Sequence, residues 1–424
     1  MLVEFKVGNY RSFREEQTLN LVASKDTGLR GNWVNKGKLR VLKAVGIYGP
    51  NASGKSNLVK ALSTMRDIVL ESADYQPGKK LPVQPFLFDS RTQKKPSTFE
   101  VTLYHDKVRY QYGFSANSER IHDEWLYAYP KGRAQTWYER ALNKEDWRFG
   151  SFLKGEREKL KDKTRDNVLF LSVGAQWNNE QLTKVYEWFK SKLRAMPAGT
   201  IWAPITAEML LDAENNKKTR KMLYEFVKDC LQDADLGIYG LKVKREKIDE
   251  TKFPTEMPES VRGTFLRYFK ERPAVKVEML HREVRTGKEV YLPIQEESDG
   301  TRRFFELAGP WLLAVTVGIT VLIDELEASL HPLLTRELIK FVQNPKVKQT
   351  EGQLIFATHD TTLLDPELFR RDQIWFAEKD KYSSTRLYSM LDYKPRKGEA
   401  MQKGYLSGRY GAIPIIEAFQ IYGK

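Results

Sequence analysis

The chain has 424 residues and a single cysteine, Cys230. An internal disulfide is thereby excluded, and this usage fits a reducing compartment with Cys230 as a packing residue. Histidine is scarce too, with five in all, which leaves little material for a Cys/His metal cluster or a second nucleophile–base centre. No apolar run reaches bilayer length. The longest, Trp311 to Ile323, flows into an acidic pair and reads as a buried helix end followed by a strand. The opening residues Met1-Leu2-Val3-Glu4-Phe5-Lys6 hold no signal-peptide core, so a cytoplasmic protein with no membrane contact is expected. Repeats, heptads sustained over three turns and low-complexity tracts are missing as well, which excludes a solenoid and a long-armed coiled coil.

What is present is a folding composition. With 41% hydrophobic and 30% charged residues, the chain has apolar material for one large domain or two to three ordinary ones. Lys and Arg outnumber Asp and Glu by 70 to 56, a net charge of +14, which favours contact with nucleic acid, another polyanion or an acidic protein. The excess is dispersed, through Lys79-Lys80, Lys94-Lys95, Lys154 to Arg165, Lys217 to Lys221 and Lys242 to Lys247. Lysines that only keep the chain soluble explain it equally well, so nucleic-acid contact stays open.

Gly49-Pro50-Asn51-Ala52-Ser53-Gly54-Lys55-Ser56 fits G-x-x-x-x-G-K-[ST]. Before it, Val45-Gly46-Ile47-Tyr48 is short, apolar and β-prone. After it, Asn57 to Leu62 has apolar residues at helical spacing, so a helix is expected from Ser56 to about Glu71. In that context Gly49 and Gly54 let the backbone wrap so that N–H groups, those of Asn51, Ala52, Ser53 and Asn57 among them, face phosphate oxygens. The helix N-terminus adds positive potential, Lys55 neutralises β/γ-phosphate charge, and the Ser56 hydroxyl takes a Mg²⁺ position. A nucleoside triphosphate with Mg²⁺ is expected.

Thr320-Val321-Leu322-Ile323-Asp324-Glu325 is an apolar strand ending in two carboxylates. Asp324 suits the metal, and Glu325 suits orienting or deprotonating the attacking water. Ser298-Asp299-Gly300-Thr301 stands at a helix start upstream, Ala328-Ser329-Leu330-His331-Pro332 follows the acidic pair, and a second apolar strand, Gln353 to Ala357, ends in Thr358-His359-Asp360. Taken singly each is weak, but the order and spacing are strong.

Elsewhere, residues 2–22 read as a β-hairpin around Asn9-Tyr10-Arg11-Ser12-Phe13. Ser97 to Tyr104, Lys107 to Ser115, Glu124 to Tyr129 and Thr136 to Arg140 read as a meander, the first two joined at His105-Asp106. From about Gly150 the pattern turns helical: Glu180 to Leu193 is amphipathic, and Ala207 to Leu231 is one helix or a broken pair. A basic stretch, Leu241 to Thr251, and a Pro-marked segment, Phe253 to Glu259, precede a hairpin of Val275 to Glu283 and Glu289 to Pro293. The expected division is an N-terminal lobe over 1–149, a helical, basic insert over 150–274 and a C-terminal lobe over 275–424.

Together these motifs resemble the ABC-class ATPase heads of the SMC, RecF and OLD families. Asn9 to Phe13 looks like their N-terminal Asn-Phe-Arg-Ser-Phe element, Ser298-Asp299-Gly300 stands at the signature loop, Ala328 to Pro332 at the D-loop, and His359 at the switch histidine. The nearest likeness is to the compact SMC-like ATPases, labelled AAA, of bacterial phage-defence operons (RloA-like and PARIS-type), which share Arg371 to Phe376 and Tyr410 to Pro414. The resemblance covers residues 1 to about 140 and 275 to 424. It implies an α/β fold, a mixed sheet with an antiparallel β subdomain, and a mainly helical insert. It also implies an ATP-hydrolysing enzyme with Lys55, Glu325 and His359 catalytic, and Ser56, Asp324 and a Q-loop glutamine, for which Gln84 is the candidate, at Mg²⁺. Arg11 joins the nucleotide-binding set, while Ser298 and Gly300 close on the nucleotide of a second protomer in a homodimer or larger assembly.

OLD enzymes continue into a Toprim nuclease. Only 65 residues follow His359 here, and Glu378-Lys379-Asp380 reads as a strand end, so any cutting falls to a separate effector, a nuclease or toxin, possibly of Toprim type. The role this implies is a sensor or regulatory subunit of anti-phage defence. The alternatives are a RecF-like repair ATPase that binds DNA, and a scaffold whose turnover is too slow to matter.

Overall fold

The computed structural model describes residues 1–197, 203–212, 217–233, 237–246, 274–344, 351–394 and 400–414. The described residues form two compact units: Met1–Gly199 with Ala314–Glu327 and Thr335–Lys424, and Thr200–Leu313 with Ala328–Leu334.

The first unit is α/β and carries two principal sheets. The expected N-terminal hairpin is β1 (Leu2–Gly8) and β2 (Gln17–Asn20), and the meander is β6 (Ser97–His105), β7 (Val108–Ala116), β8 (Ile121–Tyr129) and β9 (Gln135–Arg140). With the short β10 (Arg148–Phe149) they make one antiparallel sheet in the order β10-β9-β8-β7-β6-β1-β2. The β6–β7 turn lies one residue later than expected, at Asp106-Lys107, both with positive φ, the conformation that matches the twist of a two-residue hairpin. One face of this sheet, with Phe99, Val101, Tyr112, Phe114 and Leu126, enters the core together with Leu58, Leu62 and Met65 of the helix Lys55–Glu71.

A fully buried carboxylate sits inside that core. Glu124 accepts from the Tyr112 and Tyr138 hydroxyls at 3.1 and 2.7 Å and from the Phe170 and Leu171 N–H groups at 2.7 and 3.0 Å. Arg140 pairs with it at 3.4 Å. Two of those donors open the helix Phe170–Gln176, so the charge is neutralised by a cation and by a helix start together.

The second sheet, in the order β11-β15-β16-β5-β17-β18, is mixed. Here β5 (Ala44–Tyr48), β11 (Leu193–Met196), β15 (Thr320–Ile323), β16 (Gln353–Ala357) and β17 (Ile374–Lys379) run parallel, and β18 (Thr385–Ser389) is antiparallel to β17. All five residues of β5 and of β16 are buried, as central parallel strands covered on both faces are. A separate hairpin, β3 (Trp33–Lys36) with β4 (Leu39–Leu42), completes this unit's strands among the described residues. The amphipathic stretch expected as helix to Leu193 is α-helical only over Glu180–Glu187, makes a π turn over Trp188–Lys192, and becomes β11 beside β15. Ladder pairing at the sheet edge overrides the local helical pattern there.

The second unit, by itself, holds the broken pair of helices Ala203–Asp212 and Lys217–Asp233 and a sheet in the order β12-β13-β14, of β12 (Gly240–Glu246), β13 (Ala274–Arg282) and β14 (Glu289–Pro293). The stretch from Leu241, read from sequence only as basic, thus begins as a strand, with Lys244 and Lys276 both paired to Glu278. The Pro-marked segment Phe253 to Glu259 lies outside the described residues. No helix among the described residues is long and apolar enough to cross a membrane.

Candidate functional site

Three strands of the parallel sheet deliver the motif residues at their carboxyl ends, where open α/β sheets bind ligands. After β5 comes the loop Gly49–Gly54, after β15 comes Asp324, and after β16 comes His359. β16 lies between β5 and β15 in register, Phe356 opposite both Gly46 and Ile323. Backbone bonds fix the ends: the Thr358 N–H donates to the Ile47 carbonyl at 3.1 Å, and the Asp324 N–H to the Met196 carbonyl at 3.0 Å.

The P-loop has the shape its glycines allow. Gly49 has φ +154° and Gly54 φ +109°; a Cβ on Gly49 would come within 2.2 Å of the Ala377 carbonyl, and one on Gly54 within 2.1 Å of the Thr385 hydroxyl. Ala52 is left-handed at φ 61°. Asn51 and Ala52 are exposed at the loop tip, Ser53 and Gly54 are buried beneath it, and Ser56 and Asn57 are half-buried in the first helical turn. Lys55 is buried, and its Nζ donates to the Gly49 and Pro50 carbonyls at 2.8 and 2.9 Å. Desolvation pulls its pKa down to about 8, against the opposing pull of Asp324, Glu327 and Glu325. Those acids therefore lie close enough to act on the lysine's charge.

Several buried polar atoms without partners gather at this site. Asp324 is 1% exposed, yet both its carboxylate oxygens are buried without a hydrogen-bond partner, as are Ser53 Oγ, Glu327 Oε2, Asp360 Oδ2 and the Tyr48 hydroxyl. Unpaired buried polar atoms are few in folded proteins and each calls for an explanation; so many around one loop are explained by a polar ligand with a cation. Among the described residues no group of three or more His, Cys, Asp and Glu could hold a metal by itself. The donor set instead suits Mg²⁺ held by one hydroxyl, one carboxylate and phosphate oxygens, with Ser56 and Asp324 as the protein's share.

Glu325 is exposed and left-handed at φ 53°, so the turn after β15 throws its side chain outward. Non-glycine residues held in that region cost about 1–3 kcal/mol and cluster at functional sites. His359 is exposed, and its pKa is lowered by desolvation first and by Lys55 next, with Glu327, Glu325 and Asp324 opposing. Lys55 and His359 thus both feel the charges of Asp324 and Glu325 at the carboxyl end of the parallel strands. Arg11 and Gln84 form a neighbouring pair: the Arg11 N–H donates to the Gln84 carbonyl at 2.9 Å, Gln84 is exposed, and Arg11 Nε turns back to the Tyr10 hydroxyl at 3.1 Å. Ser298 and Gly300 fall in the second unit. There the Ser298 hydroxyl accepts the Thr301 N–H at 3.1 Å at the start of the helix Asp299–Val317, and a Cβ on Gly300 would lie 2.8 Å from the Ser329 carbonyl.

Two parts of the site had no sequence signal. Thr385, the first residue of β18, supports the P-loop from beneath: its hydroxyl donates to the Ser53 carbonyl at 2.8 Å and lies 2.8 Å from the Ser12 hydroxyl. Ser12 in turn accepts from Asn57 Nδ2 at 2.8 Å, which ties the Asn9–Phe13 element to the loop. Glu327 is the other; its Oε1 accepts the His359 N–H at 2.5 Å. It could have been found only as an acid two residues past Glu325, a spacing with no meaning in isolation.

Residues 44–365 match the model of the family described as "AAA domain, putative AbiEii toxin, Type IV TA system". The match spans well over half of the chain, and the chain belongs to this family, of AAA type. No curated protein matches it. Among solved structures, 119 chains match. One is an SMC head bound to the C-terminal winged-helix domain of ScpA (12% identity, 92% of this chain and 97% of that chain, TM-score 0.40). Another is the SMC head domain from Thermotoga maritima (12% identity, 92% and 98% covered, TM-score 0.38). A third is the Pyrococcus furiosus SMC head with an extended coiled coil, bound to the C-terminal domain of ScpA (12% identity, 92% and 96% covered, TM-score 0.38).

Proposed function

We propose that the chain binds ATP with Mg²⁺ at the Gly49–Ser56 loop, hydrolyses it, and uses the cycle to close and reopen a homodimer. The observation that carries this reading is the buried Asp324 carboxylate, both oxygens without a partner, at a site where Lys55 is the cation whose pKa it helps to hold up. A carboxylate kept in that state is costly to the free protein and is matched by a cation that comes with the ligand.

In this reading the loop amides and Lys55 bind and orient the phosphates, with Lys55 leaving the Gly49 and Pro50 carbonyls to do so. Bound Mg²⁺ supplies charge neutralisation at the phosphates, and Ser56 and Asp324 hold it. Glu325 takes a proton from, or orients, the attacking water; His359 contacts the terminal phosphate from the next strand. Ser298 and Gly300 act in trans on the nucleotide of the second protomer. Arg11 and Gln84 complete the nucleotide and metal surroundings from the amino-terminal side. The lobes 1–149 and 275–424 form the ATPase head, and the insert 150–274 is the element offered to a partner.

The family description names an AbiEii toxin and a type IV toxin–antitoxin system. We carry that to this chain as a regulatory role in anti-phage defence, in which the ATP-closed dimer restrains or releases a separate effector in the cytoplasm. Mass photometry with and without ATP, on wild type and Glu325→Gln, tests the cycle. The variant is expected to bind nucleotide, fail to turn it over and accumulate as a dimer or larger assembly. A monomer under every condition contradicts the closing dimer, and turnover unchanged in Glu325→Gln contradicts the role given to Glu325.

A further inference from the structure

Glu327 belongs to no motif, yet it joins the loop after β15 to the loop after β16. The Leu326 N–H donates to the Ala357 carbonyl at 3.2 Å, which sets the backbone just before Glu327 against the end of β16. Glu327 Oε1 then accepts the His359 N–H at 2.5 Å. Its second oxygen, Oε2, is sealed from solvent and makes no hydrogen bond. The two neighbouring groups are in the same condition. Asp360 spends Oδ1 on the Thr362 N–H and hydroxyl at 2.9 and 2.6 Å, while its Oδ2 is buried and unpaired. The Tyr48 hydroxyl is fully buried and bonds to neither acid, and its pKa is pushed well up by burial first and then by the charges of Asp360 and Glu327. A purely structural tie between the two loops needs one carboxylate oxygen. Here the second is desolvated as well, at a cost no contact in the free protein repays.

We propose that Glu327 is a positioning residue: Oε1 holds the His359 amide, and Oε2 accepts a hydrogen bond from a water molecule that enters with the nucleotide. Occupancy of the P-loop then tightens the loop that carries His359. The inference rests on the ATP-binding reading above. The chemistry selects the occupant. A carboxylate only accepts hydrogen bonds, so a phosphate oxygen is repelled from this position. Lys55 is claimed by carbonyls in the free state and by phosphate in the bound one. Water is the donor small enough to remain. Phosphate affinity comes from Lys55 and the loop amides, so loss of Glu327 acts on turnover and on loop order and leaves binding largely intact.

Backbone amide exchange, read by mass spectrometry over peptides spanning 353–364, tests this in wild type, Glu327→Ala and Glu327→Gln. Each is measured alone and with Mg²⁺ plus a non-hydrolysable ATP analogue, with steady-state turnover in parallel and circular dichroism to verify folding. In Glu327→Ala the His359 amide loses its acceptor, so exchange in the free protein quickens about tenfold, the equivalent of one charge-assisted hydrogen bond. Its kcat falls about 10- to 100-fold, as for loss of other residues that orient a catalytic group, with KM within about threefold. Glu327→Gln keeps an acceptor for His359 and exchanges like wild type when free, but presents an N–H₂ where an acceptor is needed. Its amide is then not further protected by the analogue, and its kcat drops at unchanged KM. Free-state exchange in Glu327→Ala equal to wild type overturns the tie, and wild-type protection and turnover in Glu327→Gln overturn the role of Oε2. Wild type that does not bind the analogue contradicts the ATP-binding reading instead, and the free-state comparison still decides the tie.

Discussion

Two carboxylates in the first unit are buried to the same degree and treated in opposite ways. Glu124 is 0% exposed and receives five donors, two hydroxyls, two backbone amides and Arg140. Asp324 is 1% exposed and receives none. Burial alone therefore does not separate these two carboxylates; satisfaction does. Glu124 joins β7, β8, β9 and the helix Phe170–Gln176 into one piece, and its charge is spent on the fold. Asp324 stands at the end of a parallel strand whose backbone is already paired on both sides, and its carboxylate contributes no hydrogen bond to the fold.

Breaking the satisfied member has the largest effect. Glu124→Gln presents an N–H₂ to donors and strands Arg140 in the core. It is expected to cost about 3–5 kcal/mol, the usual toll of removing one partner of a buried pair, read by denaturant unfolding. Next comes the loop itself: Gly54→Ala puts a methyl against Thr385 at positive φ, a strain of about 1–3 kcal/mol, together with loss of nucleotide binding by calorimetry. Asp324→Asn sharpens the comparison, because it removes a charge and no hydrogen bond. Its unfolding free energy is expected to be no lower than wild type's, because the change relieves an unpaired buried charge, though the residue is as buried as Glu124. A loss as large as that of Glu124→Gln contradicts the distinction.

A further effect is in pH dependence. The folded pKa of Lys55, about 8, lies below its ordinary 10.5, so between those values the unfolded chain binds more protons than the folded one, and stability rises with pH. This contribution is at its lowest below pH 8 and complete above 10.5. The nucleotide-free wild type should therefore gain on Lys55→Met across that window in thermal midpoint. Parallel curves for the two proteins contradict a desolvated lysine.

How far the sequence discloses this depends on chain distance. The P-loop is legible because strand, glycine turn, lysine and helix are contiguous, and each has its own local signature in Val45–Tyr48, Gly49, Gly54 and the apolar spacing after Ser56. The acidic end of β15 is legible for the same reason, and so is the antiparallel meander, where alternation and tight turns coincide. Thr385 is not, since it reaches the loop from 332 residues beyond Ser53, and a threonine at a strand start carries no signal by itself. Glu327 is visible as a letter but acquires meaning only when β16 places His359 against it. β11 is hidden because helical periodicity runs through Trp188 and Phe189 almost to Leu193, and the partner that makes it a strand is Thr320–Ile323. β12 could have been read: Leu241 and Val243 alternate with Lys242 and Lys244, a period of two that the density of charge obscured.

The most direct test of the central claim is calorimetric titration of ATP into wild type and Asp324→Asn, each with Mg²⁺ and with chelator, scored against the same proteins' unfolding free energies. The account predicts Mg²⁺-dependent tightening of binding in wild type, its loss in Asp324→Asn, and a variant no less stable than wild type without nucleotide. Equal nucleotide affinity with and without Mg²⁺ in both proteins, or a variant that fails to fold, would place Asp324 with Glu124 in the scaffold and contradict it.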